Sequence, residues 1–124
     1  MAFYFYPRGG SAQVVRYLAG RLQKLLSIRL YAGSLGEAGA ITHAGTFFSG
    51  MNPIPLDYTV ADLEWRNGGD SLLSDPPMHG SFEDRPEVPD IFMARLSPEQ
   101  VGQQVLAWRR LFSRGGKEPE IVHL

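Results

Sequence analysis

The sequence predicts an α/β fold: a Rossmann-like, three-layer parallel sheet of about four strands with flanking helices, incomplete at the C-terminus. Three observations support this prediction. Near the start, an aromatic run is followed by a glycine pair and then by an amphipathic segment. A strong helix start lies at Ser97, and the last residues form an apolar, β-branched run. A length of 124 residues is enough for one domain with its own apolar core.

The first 36 residues indicate a strand, a helix and a second strand. Ala2 to Tyr6 is a short aromatic run ended by Pro7 and a glycine pair, which is typical of a buried strand. From Ser11 onward a helical period predicts one core-facing stripe, made by Val14, Val15, Leu18, Ala19, Leu22, Leu25 and Leu26. Residues 27 to 31 are predicted to form the second strand, parallel to the first and joined to it by a right-handed crossover.

The middle of the chain has weaker signals. Residues 37 to 53 show no clear period, Ile54 to Tyr58 is predicted to be a third, edge-like strand, and Ala61 to Arg66 one or two helical turns. Residues 67 to 95 contain four prolines and six of the thirteen acids, which predicts a long irregular loop. Because such loops are usually functional or mobile, we expect a surface loop near a site or a disordered segment.

The last third of the chain begins with a clear helix signal. Ser97-Pro98-Glu99-Gln100 places a capping serine, a first-turn proline and a glutamine at the right spacing, and predicts a helix to about Ser113. Its apolar stripe is expected to consist of Val101, Val105, Trp108 and Phe112. After the Gly115-Gly116 stop, residues 121 to 124 are typical of a parallel core strand. A last strand without a following helix leaves one sheet face partly uncovered, so we expect that face to have a partner beyond this chain.

Composition excludes several classes of protein. The formal net charge is -1 and apolar residues make up 44%, so neither a disordered chain nor a nucleic-acid-binding field is indicated. The absence of cysteine excludes disulfides, thiolate metal sites and thiol nucleophiles, and fits a cytoplasmic location. The N-terminal apolar run is too short for a signal peptide or a transmembrane segment. The cations of residues 1 to 36 and the acids of residues 70 to 90 are interpreted as a solvated helix face and an acidic loop.

The first candidate site is the glycine turn, by which we mean Arg8-Gly9-Gly10-Ser11. Glycines between a strand and a helix let the backbone approach a ligand closely, and the free N–H groups of a helix start favour an anion. The turn matches neither a dinucleotide fingerprint nor a P-loop, and no acid ends the second strand, so a nicotinamide cofactor is disfavoured. A phosphate or sugar site and a plain turn both stay open.

The three histidines are the other candidates. Their spacing fits no compact metal site, and His43 and His79 are predicted to be solvated loop residues. His123 lies near the end of the predicted terminal strand, at the edge where open α/β sheets bind ligands, so a functional and a structural role are both open for it. No GxSxG nucleophile motif occurs, and the acids of residues 70 to 90 are interpreted as solubilising.

Two stretches resemble a known family. Residues 6 to 15 (Tyr-Pro-Arg-Gly-Gly-Ser-Ala-Gln-Val-Val), with the helix and residues 28 to 33 after them, are similar to the opening of retaining GT-B glycosyltransferases of the sucrose-synthase-like class (glycosyl transferase group 1). Residues 119 to 124 (Pro-Glu-Ile-Val-His-Leu) resemble a strand that leads into a histidine-containing acceptor loop in that class. The match covers about a third of the chain. The usual glutamate of the first motif is Ala12 here, so its role is not carried over.

The resemblance implies the acceptor-side N-terminal domain of an enzyme that transfers a sugar from a nucleotide-sugar donor to an acceptor. It implies a C-terminal donor-binding domain absent from this chain, no metal or other cofactor, and little activity for the chain alone. Gly9, Gly10 and Ser11 would approach the donor phosphates or the acceptor, and His123 would border the acceptor pocket. No catalytic residue is assigned.

Two other functions remain open from the residues themselves. The chain is also compatible with a non-catalytic, flavodoxin-like module that binds an anion at Gly9 and Gly10. Alternatively, an incomplete sheet allows an interaction protein that pairs with another chain through its terminal strand.

Overall fold

Three parallel strands form the main sheet, in the order β1 (Ala2–Phe3), β2 (Tyr31–Ser34) and β3 (Ile54–Asp57). The computed structural model describes residues 1 to 118 together with Val122 and His123. In the register, Tyr31 pairs with Ala2 on one side and with Ile54 on the other. The central strand is therefore β2, which is buried along its whole length.

Helices and short strands complete the fold. The α-helices are α1 (Gly9–Leu22), α2 (Ala44–Phe47), α3 (Thr59–Arg66) and α4 (Pro98–Ser113). A second, two-stranded parallel sheet consists of β4 (Gly80–Ser81) and β5 (Ile91–Phe92), which a 3-10 helix follows at Met93–Arg95. Within the described residues, no helix has the length and apolar character needed to cross a membrane.

Side chains alternate across the main sheet and create two apolar clusters. Tyr31 of β2 packs with Trp108 and Leu111 of α4 on one face. The next residue, Ala32, packs on the other face with Ala12 of α1, Phe47 of α2 and Phe48 directly after it. This alternation is the two-residue period of a strand with both faces buried. The structure is thus a mixed α/β fold with helices on both faces of a small parallel sheet.

The backbone after β1 passes close to β2, which explains why residue 33 is a glycine. A Cβ atom at this position would lie 2.6 Å from the carbonyl carbon of Phe5 and 2.7 Å from the nitrogen of Tyr6. These are backbone atoms, which cannot rotate away as a side chain can. Only glycine fits where the chain beyond β1 passes over β2.

The predicted end of the first helix is wrong, and its predicted core face is right only in part. α1 ends at Leu22, so Leu25 and Leu26 lie outside it, and Leu25 is 82% exposed. Of the predicted stripe, Ala19 is buried and Val15 packs partly buried against the core, whereas Val14 is 64% exposed. The helix also buries Ala12, which lies outside that stripe. Two alanines seven residues apart let the helix backbone lie close to the sheet, so the larger apolar residues project outward.

The second strand is also displaced from its prediction, because β2 begins at Tyr31 where the predicted strand 27 to 31 ends. Its residues after Tyr31 are small, which weakens a sequence signal based on β-branched side chains. Ser34 is nevertheless buried, and its hydroxyl accepts a hydrogen bond from the Ala44 N–H at 3.0 Å. The third strand was predicted at residues 54 to 58, and β3 confirms it.

Residues 67 to 95 are largely irregular and residues 82 to 87 are exposed, but another part of this segment is buried in the core. Met78 and His79 are fully buried, so the prediction of a solvated His79 is wrong. The Gly80 N–H donates to the Tyr4 hydroxyl at 2.9 Å, and the Gln104 amide donates to the Met78 carbonyl at 2.9 Å. Side chains thus satisfy backbone groups of this irregular segment, which allows its burial.

The predicted start of α4 is confirmed by both hydrogen bonds of a capping box, between Ser97 and Gln100. Its predicted stripe is displaced, because Val101 and Val105 are about half exposed. Trp108 is the one member of that stripe in the buried set, which consists of Gln104, Ala107, Trp108 and Leu111.

The end of the chain leaves one prediction open. Residues 119 to 121 and residue 124 lie outside the described part, so the terminal strand at 121 to 124 stays a prediction. Val122 and His123 are exposed, and the His123 carbonyl accepts a hydrogen bond from the Ala2 N–H at 2.9 Å. This end of the chain therefore lies beside the first residue of β1.

Candidate functional site

An open cleft of about 390 Å³ lies where the chain leaves β1 and enters α1. We call it the α1 cleft. One wall is the glycine turn and the other is the segment that starts at β4. Its lining residues are Phe5, Arg8, Gly9, Gly10, Ser11, Ser81, Phe82, Glu83 and Arg85.

The backbone of the glycine turn is open to a ligand. Gly9 has a φ of +63°, a conformation that favours glycine, and a Cβ atom at Gly9 or at Gly10 would meet nothing within 4 Å. The first N–H groups of a helix have no partner inside the helix, and no acid lies in the first turn of α1. The helix start therefore offers a partial positive charge and free donors to an anion.

Two arginines reach the α1 cleft from different segments. Arg8 precedes α1, and its side chain is 27% exposed. Arg85 comes from the segment after β4 and pairs with Glu83, both side chains being well exposed. A solvated pair of this kind contributes little to stability, so Arg85 is available to a ligand, whereas Arg8 is held from behind.

A buried hydrogen-bonded network lies behind Arg8. The Tyr6 hydroxyl donates to the Asp90 carboxylate at 2.8 Å and accepts from the Arg8 guanidinium at 2.9 Å, and Arg8 also pairs directly with Asp90. The guanidinium carbon lies 4.9 Å from the centre of the Tyr6 ring. Burial, together with the neighbouring Asp90 charge, raises the pKa of Tyr6, so its hydroxyl keeps its proton and remains a donor.

His79 is enclosed by aromatic rings on the inner side of this network. Its Nδ1–H donates to the Gly80 carbonyl at 2.9 Å, since a carbonyl only accepts, and its Nε2 has no hydrogen-bond partner among the described residues. The rings of Tyr4, Phe5, Tyr6 and Tyr58 lie 5.1 to 5.5 Å from the imidazole. Burial lowers the pKa of His79, and the opposing effect of Asp90 is smaller. The imidazole is therefore a neutral core group and does not line the cleft.

The candidate residues of the glycine turn and His123 lie in different parts of the structure. Gly9, Gly10 and Ser11 lie together in the α1 cleft. His123 lies beside Ala2, at the opposite end of β1 from the glycine turn, so the structure does not bring it to the cleft. His43 caps α2 by accepting the Thr46 N–H at 3.3 Å.

Sequence reasoning missed the half of the cleft that residues 81 to 90 provide. Phe82 and Arg85 line it, and Asp90 holds Arg8. These residues lie in the segment interpreted as a solvated acidic loop. A signal was present, because Asp90 stands between Pro89 and the apolar pair of β5, a setting where a carboxylate is rarely solubilising.

A smaller cleft of about 230 Å³ lies between β3 and α4. It is lined by Asp57, Asp75, Arg110 and Arg114 among others, and Arg110 is 3.4 Å from Asp75. These charges are opposite in sign and exposed. Among the described residues no group of three His, Asp or Glu side chains is placed to hold a metal ion. The α1 cleft is the better candidate because it combines backbone donors with charges of two segments.

Comparison of the chain with protein-family models, with curated proteins and with solved structures finds no match.

Proposed function

We propose that this chain is the acceptor-side, Rossmann-like N-terminal domain of a retaining GT-B glycosyltransferase, which uses a nucleotide-sugar donor. The observation that carries the proposal is the position of the glycine turn. It follows a parallel strand, begins α1 and opens into the α1 cleft. Its residues are the ones on which the resemblance to this class depends.

The topology supports the proposal. Strands β1, β2 and β3 are parallel and lie in sequence order, as they do in one half of a doubly wound sheet. Helices cover both faces of this sheet. In open α/β sheets ligands bind outside the carboxyl ends of the strands, which is where the glycine turn is located.

The lining of the α1 cleft suits a phosphorylated sugar compound. The N–H groups of Gly10 and Ser11 and the guanidinium groups of Arg8 and Arg85 are donors for phosphate or sugar oxygens. Phe82 is 76% exposed and offers an apolar face to a sugar ring. His123 has no part in this proposal because of its place beside Ala2.

The chain alone is proposed to bind ligand without turnover. A GT-B enzyme closes two domains around its substrates. The groups that hold the sugar and ribose of the donor would belong to a second domain, and the α1 cleft would contact the donor phosphates. Among the described residues that line the α1 cleft, neither serine hydroxyl is hydrogen-bonded to a side-chain base, as an activated nucleophile would be. Incubation with nucleotide-sugars and acceptors should therefore give no appreciable sugar transfer. Rapid transfer by these 124 residues would contradict the proposal that turnover needs a second domain.

Calorimetric titration with UDP-glucose, GDP-mannose and ADP-glucose, each with and without a panel of sugar acceptors, tests the proposal. Gly10→Phe should abolish binding, because its side chain would enter the cleft from a position with open space. Gly102→Phe is the matched control, since Gly102 is an exposed helical glycine with open space on α4. Equal loss in both variants, or no binding by the wild-type chain, would refute the proposal. Binding of inorganic phosphate alone would favour the non-catalytic anion-binding module.

A further inference from the structure

Asp90 is an almost fully buried carboxylate whose hydrogen bonds lead to the surface of the α1 cleft. Its side chain is 1% exposed, and its oxygens accept from the Tyr6 hydroxyl and the Arg8 guanidinium. A charge at this depth requires such partners, because desolvation without them is very costly. The segment before β5 is thereby attached to the residue that precedes α1.

Arg8 belongs both to the buried network and to the cleft. Two of its nitrogens donate to Tyr6 and Asp90, while the side chain keeps an exposed edge that lines the cleft. A guanidinium group has five N–H donors, so these two contacts leave donors for a ligand oxygen. Since Arg8 also stacks over the ring of Tyr6, its plane is fixed from two directions.

We propose that Asp90 is a positioning residue: it holds the Arg8 guanidinium in the orientation that binds a phosphate group in the α1 cleft, without touching the ligand. The inference rests on the proposed function in taking this cleft as a ligand site. It adds the chemical group that is recognised, a phosphate such as the diphosphate of a nucleotide-sugar, and the residue on which that recognition depends. Planar, preorganised arginine is well suited to phosphate oxygens.

Replacing Asp90 by asparagine has two opposite effects on anion binding, one through the charge at the cleft and one through the position of the Arg8 side chain. Removing the Asp90 charge raises the positive potential at the cleft, and this effect alone would strengthen anion binding. Loss of the Asp90 contact also frees the Arg8 side chain. The ligand must then order this side chain on binding, which reduces the affinity. The loss of position outweighs the gain in potential, so Asp90→Asn should bind an anion more weakly than the wild-type chain.

The experiment uses inorganic pyrophosphate as the probe and follows Arg8 independently by the 15N relaxation of its Nε–Hε group. For Asp90→Asn we expect affinity to fall roughly tenfold and the Arg8 side chain to become mobile. Asp62→Asn is the matched control, since Asp62 is a buried carboxylate paired with Arg66 on α3, away from the cleft. It should leave both readouts unchanged. Unchanged or stronger binding by folded Asp90→Asn would overturn the proposal.

Arg8→Lys keeps the test decisive if Asp90→Asn does not fold. Lysine retains the charge at the cleft but lacks the planar fork that contacts Tyr6 and Asp90, so it should also bind pyrophosphate roughly tenfold more weakly. Wild-type affinity in Arg8→Lys, or no pyrophosphate binding by the wild-type chain, would overturn the inference. If pyrophosphate binds as described but no nucleotide-sugar does, the proposed function fails while the role of Asp90 stands.

Discussion

The imidazole of His79 and the carboxylate of Asp90 face each other inside the protein, with Nε2 3.9 Å from Oδ1. This distance is too long for a hydrogen bond, and the carboxylate is already bonded to Tyr6 and Arg8. His79 completes an aromatic enclosure, and its other nitrogen donates to Gly80. The folded state therefore favours the neutral imidazole, and this preference has consequences for stability.

Acidification should destabilise the protein through His79. Its pKa in the folded state is lowered from 6.5, so between that value and the folded pKa the unfolded chain binds a proton that the folded chain does not. The stabilisation is complete above about pH 6.5 and is lost as the pH falls toward the folded pKa, at up to about 1.4 kcal/mol per pH unit. Urea unfolding from about pH 7.5 to pH 5 measures this slope.

The matched variants for this prediction are His79→Asn and His123→Asn. The asparagine amide can still donate to the Gly80 carbonyl but does not titrate, so His79→Asn should have a shallower dependence of unfolding free energy on pH. His123→Asn replaces an exposed imidazole and is the comparison. An identical slope in wild type and His79→Asn would show that another group causes the acid dependence.

Gly33→Ala should destabilise the fold by about 1–3 kcal/mol or prevent folding, because the added methyl group would overlap the Phe5 backbone. Gly102→Ala should instead stabilise it by about 0.5–1 kcal/mol, since Gly102 lies inside α4 with open space around it. Thermal and urea unfolding of both variants measure the difference. Equal stability of the two proteins would mean that β2 does not pass this close to Phe5.

Ser97→Ala should cost about 0.5–2 kcal/mol of unfolding free energy, because Ser97 accepts the Gln100 N–H at the start of α4. Ser97→Asp keeps an acceptor at this position and places a negative charge at the helix start, so it should be close to wild type. Urea unfolding distinguishes the two variants. Similar losses in both would indicate that the serine matters for a reason other than capping.

Phe82→Ser should weaken binding of a sugar-containing ligand while stability changes little, because Phe82 is 76% exposed at the edge of the α1 cleft. Calorimetric titration with the nucleotide-sugar that binds best tests this, and Leu73→Ser is the control, since Leu73 is 83% exposed outside the cleft. A loss of affinity in both variants would exclude a specific role for Phe82.

Local signals in the sequence predicted some elements well. The α4 start was correct because Ser97, Pro98 and Gln100 act through neighbouring backbone groups. The third strand directly follows the Asn52-Pro53 pair, a turn signal. The parallel pairing of β1 with β2 followed from the intervening helix. The glycine turn precedes that helix in the sequence, so it could be placed at the start of α1.

The core faces and half of the cleft depend on contacts that are distant in sequence. Ala12, which lies outside the predicted stripe of α1, is fully buried, whereas Val14 and Leu18 of that stripe are exposed, because the helix lies close to the sheet. Burial of His79 depends on Tyr4 and Gln104, which satisfy its neighbours Gly80 and Met78. Asp90 joins Arg8 across 82 positions, so no local pattern could assign it to the cleft. Tertiary packing decided each of these cases.

The most direct test of the central claim is a 1H–15N correlation spectrum of the labelled chain, titrated with nucleotide-sugars. If the α1 cleft is the ligand site, the largest saturable shifts will be at the amides of Gly9, Gly10 and Ser11, with smaller ones at Phe82 and Arg85. Shifts that centre on the cleft between β3 and α4, or no saturable shift with any nucleotide-sugar, would contradict the account.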